Sequence, residues 1–123
     1  MIDVKPEIVR ALGSNQALIS LLGGPRIYQL VAPIPEELPR ITLFEMVNAD
    51  NWFADDTAYA SKIHIQVDVW SKESTTAIAA EVDKTMKSIG FQRYASADLY
   101  ENDTKIFHKA LRFSTNKFIE EGE

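Results

Sequence analysis

Lys62-Ile63-His64-Ile65-Gln66-Val67-Asp68-Val69-Trp70 alternates apolar and polar side chains without a break. A strand sends neighbouring side chains to opposite faces. Ile63, Ile65, Val67 and Val69 therefore line one face, and Lys62, His64, Gln66 and Asp68 the other. From Ser71 the period changes. Ile78, Val82, Met86 and Ile89 recur at helical spacing, and Gly90 stands where a left-handed C-terminal cap belongs. This strand–helix unit predicts one buried cluster of Val67, Val69, Ile78, Val82 and Met86.

Upstream of that unit, residues 2–22 read as a helix or a helix pair. Ile8, Val9 and Leu12 form one apolar patch and Leu18, Leu21 and Leu22 another, with Gly13-Ser14-Asn15 between them as a break or cap. Pro6 suits a first helical turn, and Gly23-Gly24-Pro25 ends the helical region. Arg26-Ile27-Tyr28 is a short strand candidate, and Pro33, Pro35 and Pro39 enforce an extended connector. Ile41 to Val47 is the next strand. Asn48 to Thr57, rich in Asn and Asp, reads as a long loop joining two antiparallel strands.

Downstream, Phe91 to Tyr100 and Lys105 to Thr115 form a terminal hairpin around Glu101-Asn102-Asp103-Thr104. In its second strand Phe107, Leu111 and Phe113 share a face interrupted by Lys109. The charged tail from Asn116 is expected to fray. The whole predicts an α+β fold, an antiparallel or mixed sheet of four to five strands with two main helices packed on one face. At 123 residues the chain is expected to be one domain with its core over about 6–114.

Composition mainly excludes. The chain has no Cys, which removes disulfides, thiolate metal sites and a cysteine nucleophile. Its apolar runs are far shorter than the ~20 residues that span a bilayer, and its start lacks a basic region followed by an apolar one. A soluble, untargeted protein without membrane contact is expected. A formal net charge of −5 argues against gripping a nucleic-acid backbone by general attraction.

No catalytic, cofactor or metal site emerges. His64 and His108 lie inside predicted strands, without the spaced partners that zinc requires. Asp50, Asp55 and Asp56 invite a calcium reading, but the sixth and twelfth places counted from Asp50 are Asp55 and Ser61, not the Gly and Glu of an EF-hand. Gly23-Gly24 follows a helix instead of preceding one and lacks the Gly-Lys-Ser/Thr of a phosphate loop. Trp52 and Phe53 carry more information. Two large aromatics in a polar loop either fold back onto the sheet or await a partner, and aromatics are enriched in interface cores. Asn48, Asp50, Trp52, Phe53, Asp55 and Asp56 are accordingly the candidate partner interface.

Read in order, Leu21-Leu22-Gly23-Gly24-Pro25-Arg26-Ile27-Tyr28, then Ala32-Pro33 and Pro39, then Ile65-Gln66-Val67-Asp68-Val69-Trp70-Ser71 with the helix Ala77-Ile78-Ala79-Ala80-Glu81-Val82, form a pattern. It resembles the small tail-completion, or tail-to-head joining, proteins of long-tailed bacteriophages and prophages, over about Pro6 to Ser114. Where many relatives have Pro-Tyr at the strand entry, this chain has Pro39-Arg40. The resemblance implies a tail-terminator-like α+β domain without enzymatic activity or cofactor. Such domains assemble as a ring, commonly a hexamer, at the head-proximal tail end. The implied partners are further copies of the chain, the tail tube protein and a head–tail connector or stopper protein, with DNA only passing through the lumen. The implied locations are the host bacterial cytoplasm during assembly and then the virion tail. A small-molecule-binding or regulatory α+β module, ferredoxin-like in its pieces, is the alternative.

Overall fold

The structure, a computed structural model, describes residues 1–54 and 57–118, with 51–54 and 57–59 described by their backbone alone. In chain order the elements are α1 (Lys5–Gly13), α2 (Gln16–Leu22), β1 (Ile27–Gln29), β2 (Arg40–Ala54), β3 (Thr57–Ser71), α3 (Thr76–Ser88), β4 (Gln92–Glu101) and β5 (Ile106–Phe118). The strands form one mixed sheet in the order β1-β2-β3-β5-β4. β1 runs parallel to β2, and every other pairing is antiparallel.

The alternation around Val67 sets the core. Ile63, Ile65, Val67 and Val69 are fully buried, and they share one cluster with Ile41, Leu43, Leu111 and Phe113 of the flanking strands. Residues of all three helices join it: Ile8 and Leu12, Leu18 and Leu22, and Ile78, Val82 and Met86. The predicted cluster of Val67, Val69, Ile78, Val82 and Met86 is therefore present. Each such side chain contributes about 1.5–3 kcal/mol on burial, so this one seam outweighs any surface contact.

Local signals end the helices where the residue types demand. The Asn15 side chain accepts from the Leu18 N–H at 3.1 Å and caps α2. Its amide donates to Thr85 Oγ1 at 2.9 Å, which fixes α2 against α3. The helical stretch before Gly23 is thus the helix pair, and the described residues hold three helices in all, α3 with the two of that pair. α3 closes with Phe91 N–H on Met86 C=O at 3.0 Å and Gly90 N–H on Lys87 C=O at 3.1 Å. That is a Schellman closure, and Gly90 at φ +93° supplies the left-handed residue it needs.

Two expectations change. Residues 48–54 are not a loop: they continue β2, and 57–64 continue β3, in register from Asn48↔Ile63 to Ala54↔Thr57. Asn and Asp disfavour strands only weakly, and cross-strand hydrogen bonding to Thr57–His64 overrides that preference. A bulge at Glu45/Val47 also breaks the alternation that would have signalled a strand. Second, the last strand runs past Thr115: Asn116, Lys117 and Phe118 pair with Lys62, Ser61 and Ala60; residues 119–123 lie outside the described residues. Phe107, as expected, shares the side of Leu111 and Phe113; it sits past the buried cluster, exposed and leaning on Tyr100 at 4.9 Å between ring centroids.

Replacing Val82 with Asp places an unpaired carboxylate in the cluster. It is expected to cost several kcal/mol, comparable with the roughly 5–15 kcal/mol that holds a domain together, and to abolish cooperative melting. A variant that melts like the parent would refute the facing of α3. At the surface of α3, burial pushes the Asp83 carboxyl up, but hydrogen bonds from Lys87 (2.8 Å) and Arg93 (3.0 Å) outweigh it and leave the group below its ordinary value. Its stabilising contribution is therefore complete above the ordinary carboxylate range and is lost as pH falls through the lowered value. Arg93→Ala should reduce the acid-side change in stability, measured by urea unfolding across acidic pH.

Candidate interaction surface

The face of the sheet opposite the buried odd residues of β3 is organised in cross-strand rows. Register places Arg40, Trp70, His108 and Leu99 side by side across β2, β3, β5 and β4. The next row holds Thr42, Asp68, Ala110 and Ala97, and the one after it Phe44, Gln66, Arg112 and Ala95. His108 stacks on Trp70 at 3.8 Å with 12° between the rings, and the Arg40 guanidinium lies 5.3 Å from the Trp70 centroid. Trp70 Nε1–H donates to Thr42 Oγ1 at 2.9 Å. The neighbouring connector contributes Leu30, Val31, Ala32 and Pro35 to a concavity beside Arg40 and Trp70.

Asp68 is 4% exposed on this face, an unusual place for a carboxylate. His108 Nε2 lies 2.6 Å from its Oδ1, and Gln66 Nε2–H donates to the same oxygen at 2.8 Å. Arg112 Nε–H donates in turn to Gln66 Oε1 at 3.1 Å. A histidine–carboxylate pair is also the second half of a hydrolytic triad. Here the His108 ring is held by Asp68 at Nε2 and by Trp70 across its plane. The network satisfies a buried carboxylate and stiffens the face. His64 likewise meets Tyr94 Oη at 3.0 Å. Among the described residues no three His, Cys, Asp or Glu side chains gather where a metal ion could be held.

The surfaces left without cover are the edges. All ten residues of β4 are exposed, including Tyr94, Leu99 and Tyr100. β1 covers the outer edge of β2 only from Ile41 to Leu43, and no strand among the described residues pairs with that edge beyond them. At the junction, Leu30 and Val31 are 73% and 76% exposed, and Leu30 has φ +65°, a left-handed conformation that a Leu rarely adopts. Its N–H donates to the Leu43 carbonyl at 2.9 Å, which places these two side chains beside the level of Leu43.

Of the predicted interface residues, Asn48 and Asp50 lie on β2. Asn48 Nδ2 donates to the Ile2 carbonyl at 2.6 Å and to Glu45 at 2.9 Å, and Asp50 accepts from Ser61 Oγ at 3.2 Å. Trp52 and Phe53 belong to the strand by backbone, and Asp55 and Asp56 lie outside the described residues. Beyond Ala60, among the described residues, only β2 and β3 pair, so the backbone of Trp52 and Phe53 lies in a two-stranded extension, whereas Asn48 and Asp50 stand opposite residues of β3 that also pair with β5. Sequence reasoning missed the β4 edge and the Leu30-Val31 pair. The available signal was a strand, Gln92 to Glu101, without Lys or Pro to guard it.

A family profile described as "Tail completion protein gp17" matches residues 6–116. No curated protein matches the chain. Among solved structures, a chain of the "Virion of native gene transfer agent (GTA) particle" aligns over 91% of this chain and 92% of its own length, with a TM-score of 0.68 at 13% identity. At that identity the likeness is one of fold. No helix among the described residues is long and apolar enough to cross a membrane.

Asp68→Ala is expected to lower stability by about 1–3 kcal/mol in urea unfolding, since it strips a partner from both His108 and Gln66. Leu99→Lys, at a half-exposed edge position of the same face, should change stability by less than about 0.5 kcal/mol.

Proposed function

We propose, from the premise that this chain belongs to the tail completion protein family, that it is a non-enzymatic structural component of a phage or prophage tail. In this reading it forms a ring at the head-proximal tail end, stops tube growth and joins the tail to the head connector. The observation that carries the reading is the family match over nearly the whole chain, residues 6–116. The fold shared with a chain of a gene transfer agent virion supports it. The open strand edges and the exposed Leu30-Val31 pair supply contact surface of the sort an assembling subunit needs.

The acidic balance fits a lumen through which DNA passes without being held. The subunit is made in the host cytoplasm and ends in the virion tail. Its partners there are further copies of itself, the tail tube protein and a connector or stopper protein. Asn48, Asp50, Trp52, Phe53, Asp55 and Asp56 are the proposed contact with a neighbouring component. A ring that closed early in the cytoplasm would miss the tail end. The free protein is therefore expected to be mostly monomer at micromolar concentration, with the tail end promoting assembly.

Mass photometry of the purified protein checks the second point, and a stable hexamer at nanomolar concentration would contradict it. The joining role is tested by replacing Trp52 and Phe53 together with Ala. The variant should melt close to the parent, while complementation of a mutant phage should yield tails that fail to join heads. Normal infectivity would remove the extension from the interface, and a collapsed melting temperature would assign the two rings to anchoring instead.

A further inference from the structure

The two open edges of the sheet are complementary to each other. Along the order β1-β2-β3-β5-β4, β2 and β4 point in opposite directions, because three antiparallel steps separate them. A second copy placed beside the first with its sheet in the same orientation would therefore meet β4 with an antiparallel β2. Contacts of this kind are head-to-tail, and repeating them about an axis closes a ring.

We propose that the β4 edge of one copy pairs with the β2 edge of the next at residues 47–50, with Ala97 opposite Ala49. The proposal rests on the ring reading above and names the partner as a second copy of this chain. β4 carries neither Lys nor Pro, and its bulge at Arg93/Ala95 stands near its start, so the edge from Ser96 to Tyr100 is regular, with Asp98 as the one charged side chain within it. Side-chain faces also agree. Val47 and Ala49 lie opposite His64 and Lys62, and Leu99 and Ala97 opposite His108 and Ala110, so all four are on the same side of their sheets.

In this register Leu99, 50% exposed, faces Val47, 38% exposed, and the two alanines face each other. On the other side the Ser96 hydroxyl faces the Asp50 carboxylate. Asp98 is already neutralised by Lys109 at 3.1 Å and meets the Asn48 amide. Neighbouring registers are worse. A slip of one residue sets the faces against each other. A slip of two in one direction puts Asp98 opposite Asp50, and in the other it drives Leu99 onto the β2 bulge at Glu45/Val47. The same register brings the end of β4, with Tyr100, toward the level of Leu43, where Leu30 and Val31 stand exposed.

The natural absence of cysteine makes the test direct. Facing residues of an antiparallel pair have Cα atoms about 4.5–5.5 Å apart, within the span of a disulfide. Ala49→Cys and Ala97→Cys proteins are mixed, added to isolated tails that lack this protein, and oxidised. The expected product is a covalent dimer from the mixture and none from either variant alone. The double variant should give a ladder of covalent oligomers. Leu99→Lys should keep the parental melting temperature and lose the oligomer. A dimer from Ala97→Cys alone would mean two-fold pairing of β4 and would overturn the proposal. Oligomers on tails without the mixed cross-link would overturn this interface while leaving the ring intact. No oligomer on tails at all would overturn the ring reading, and this interface with it.

Discussion

The structure depends on the burial of one face of one strand. β3 is the central strand of five, and its Ile63, Ile65, Val67 and Val69 have no exposed surface. Neighbouring strands add Ile41, Leu43, Leu111 and Phe113, and all three helices close over the same cluster. Because the side-chain period of a strand is two, sliding β3 by one residue would send that whole set to the opposite face. Register, sheet order and helix seating are thus fixed together by one apolar seam.

The opposite face is held by different physics. Its centre is a buried carboxylate, Asp68, which is tolerable because His108 and Gln66 surround it with hydrogen-bonding groups. Trp70 bridges the network to Arg40 by stacking on His108 and lying beneath the guanidinium. Arg40 Nε is buried without a hydrogen-bond partner among the described residues, and burial holds its guanidinium below its ordinary pKa. A face built this way resists deformation while staying open, which suits a subunit whose neighbours must find a fixed template.

Stability and association are therefore separated in space. The seam around β3 is complete within one chain. Among the described residues, the outer edges of β4 and β2, and the Leu30-Val31 pair beside β2, leave apolar side chains and backbone groups without cover within the monomer.

The alternation from Lys62 to Trp70, the helical spacing from Ile78 to Met86 and the caps at Asn15, Gly23 and Gly90 were legible in the sequence by itself. Each is a local signal: side-chain period and backbone conformation are properties of adjacent residues. They determined the α+β class, the core and, with the Gly-Gly-Pro-Arg-Ile-Tyr and Val-Asp-Val-Trp segments, the family. The pairing of 48–54 with 57–63, the pairing of 116–118, the row from Arg40 to Leu99, the Asp68–His108 pair and the two open edges were decided only by the tertiary structure. Asn48 and Asp50 read as loop residues until Ile63 and Ser61 pair with them. Asp68 and His108 are 40 residues apart in the chain, yet the β3–β5 register brings their side chains together. Which strand lies beside which, and where an edge is left bare, depends on contacts between distant residues that no local pattern encodes.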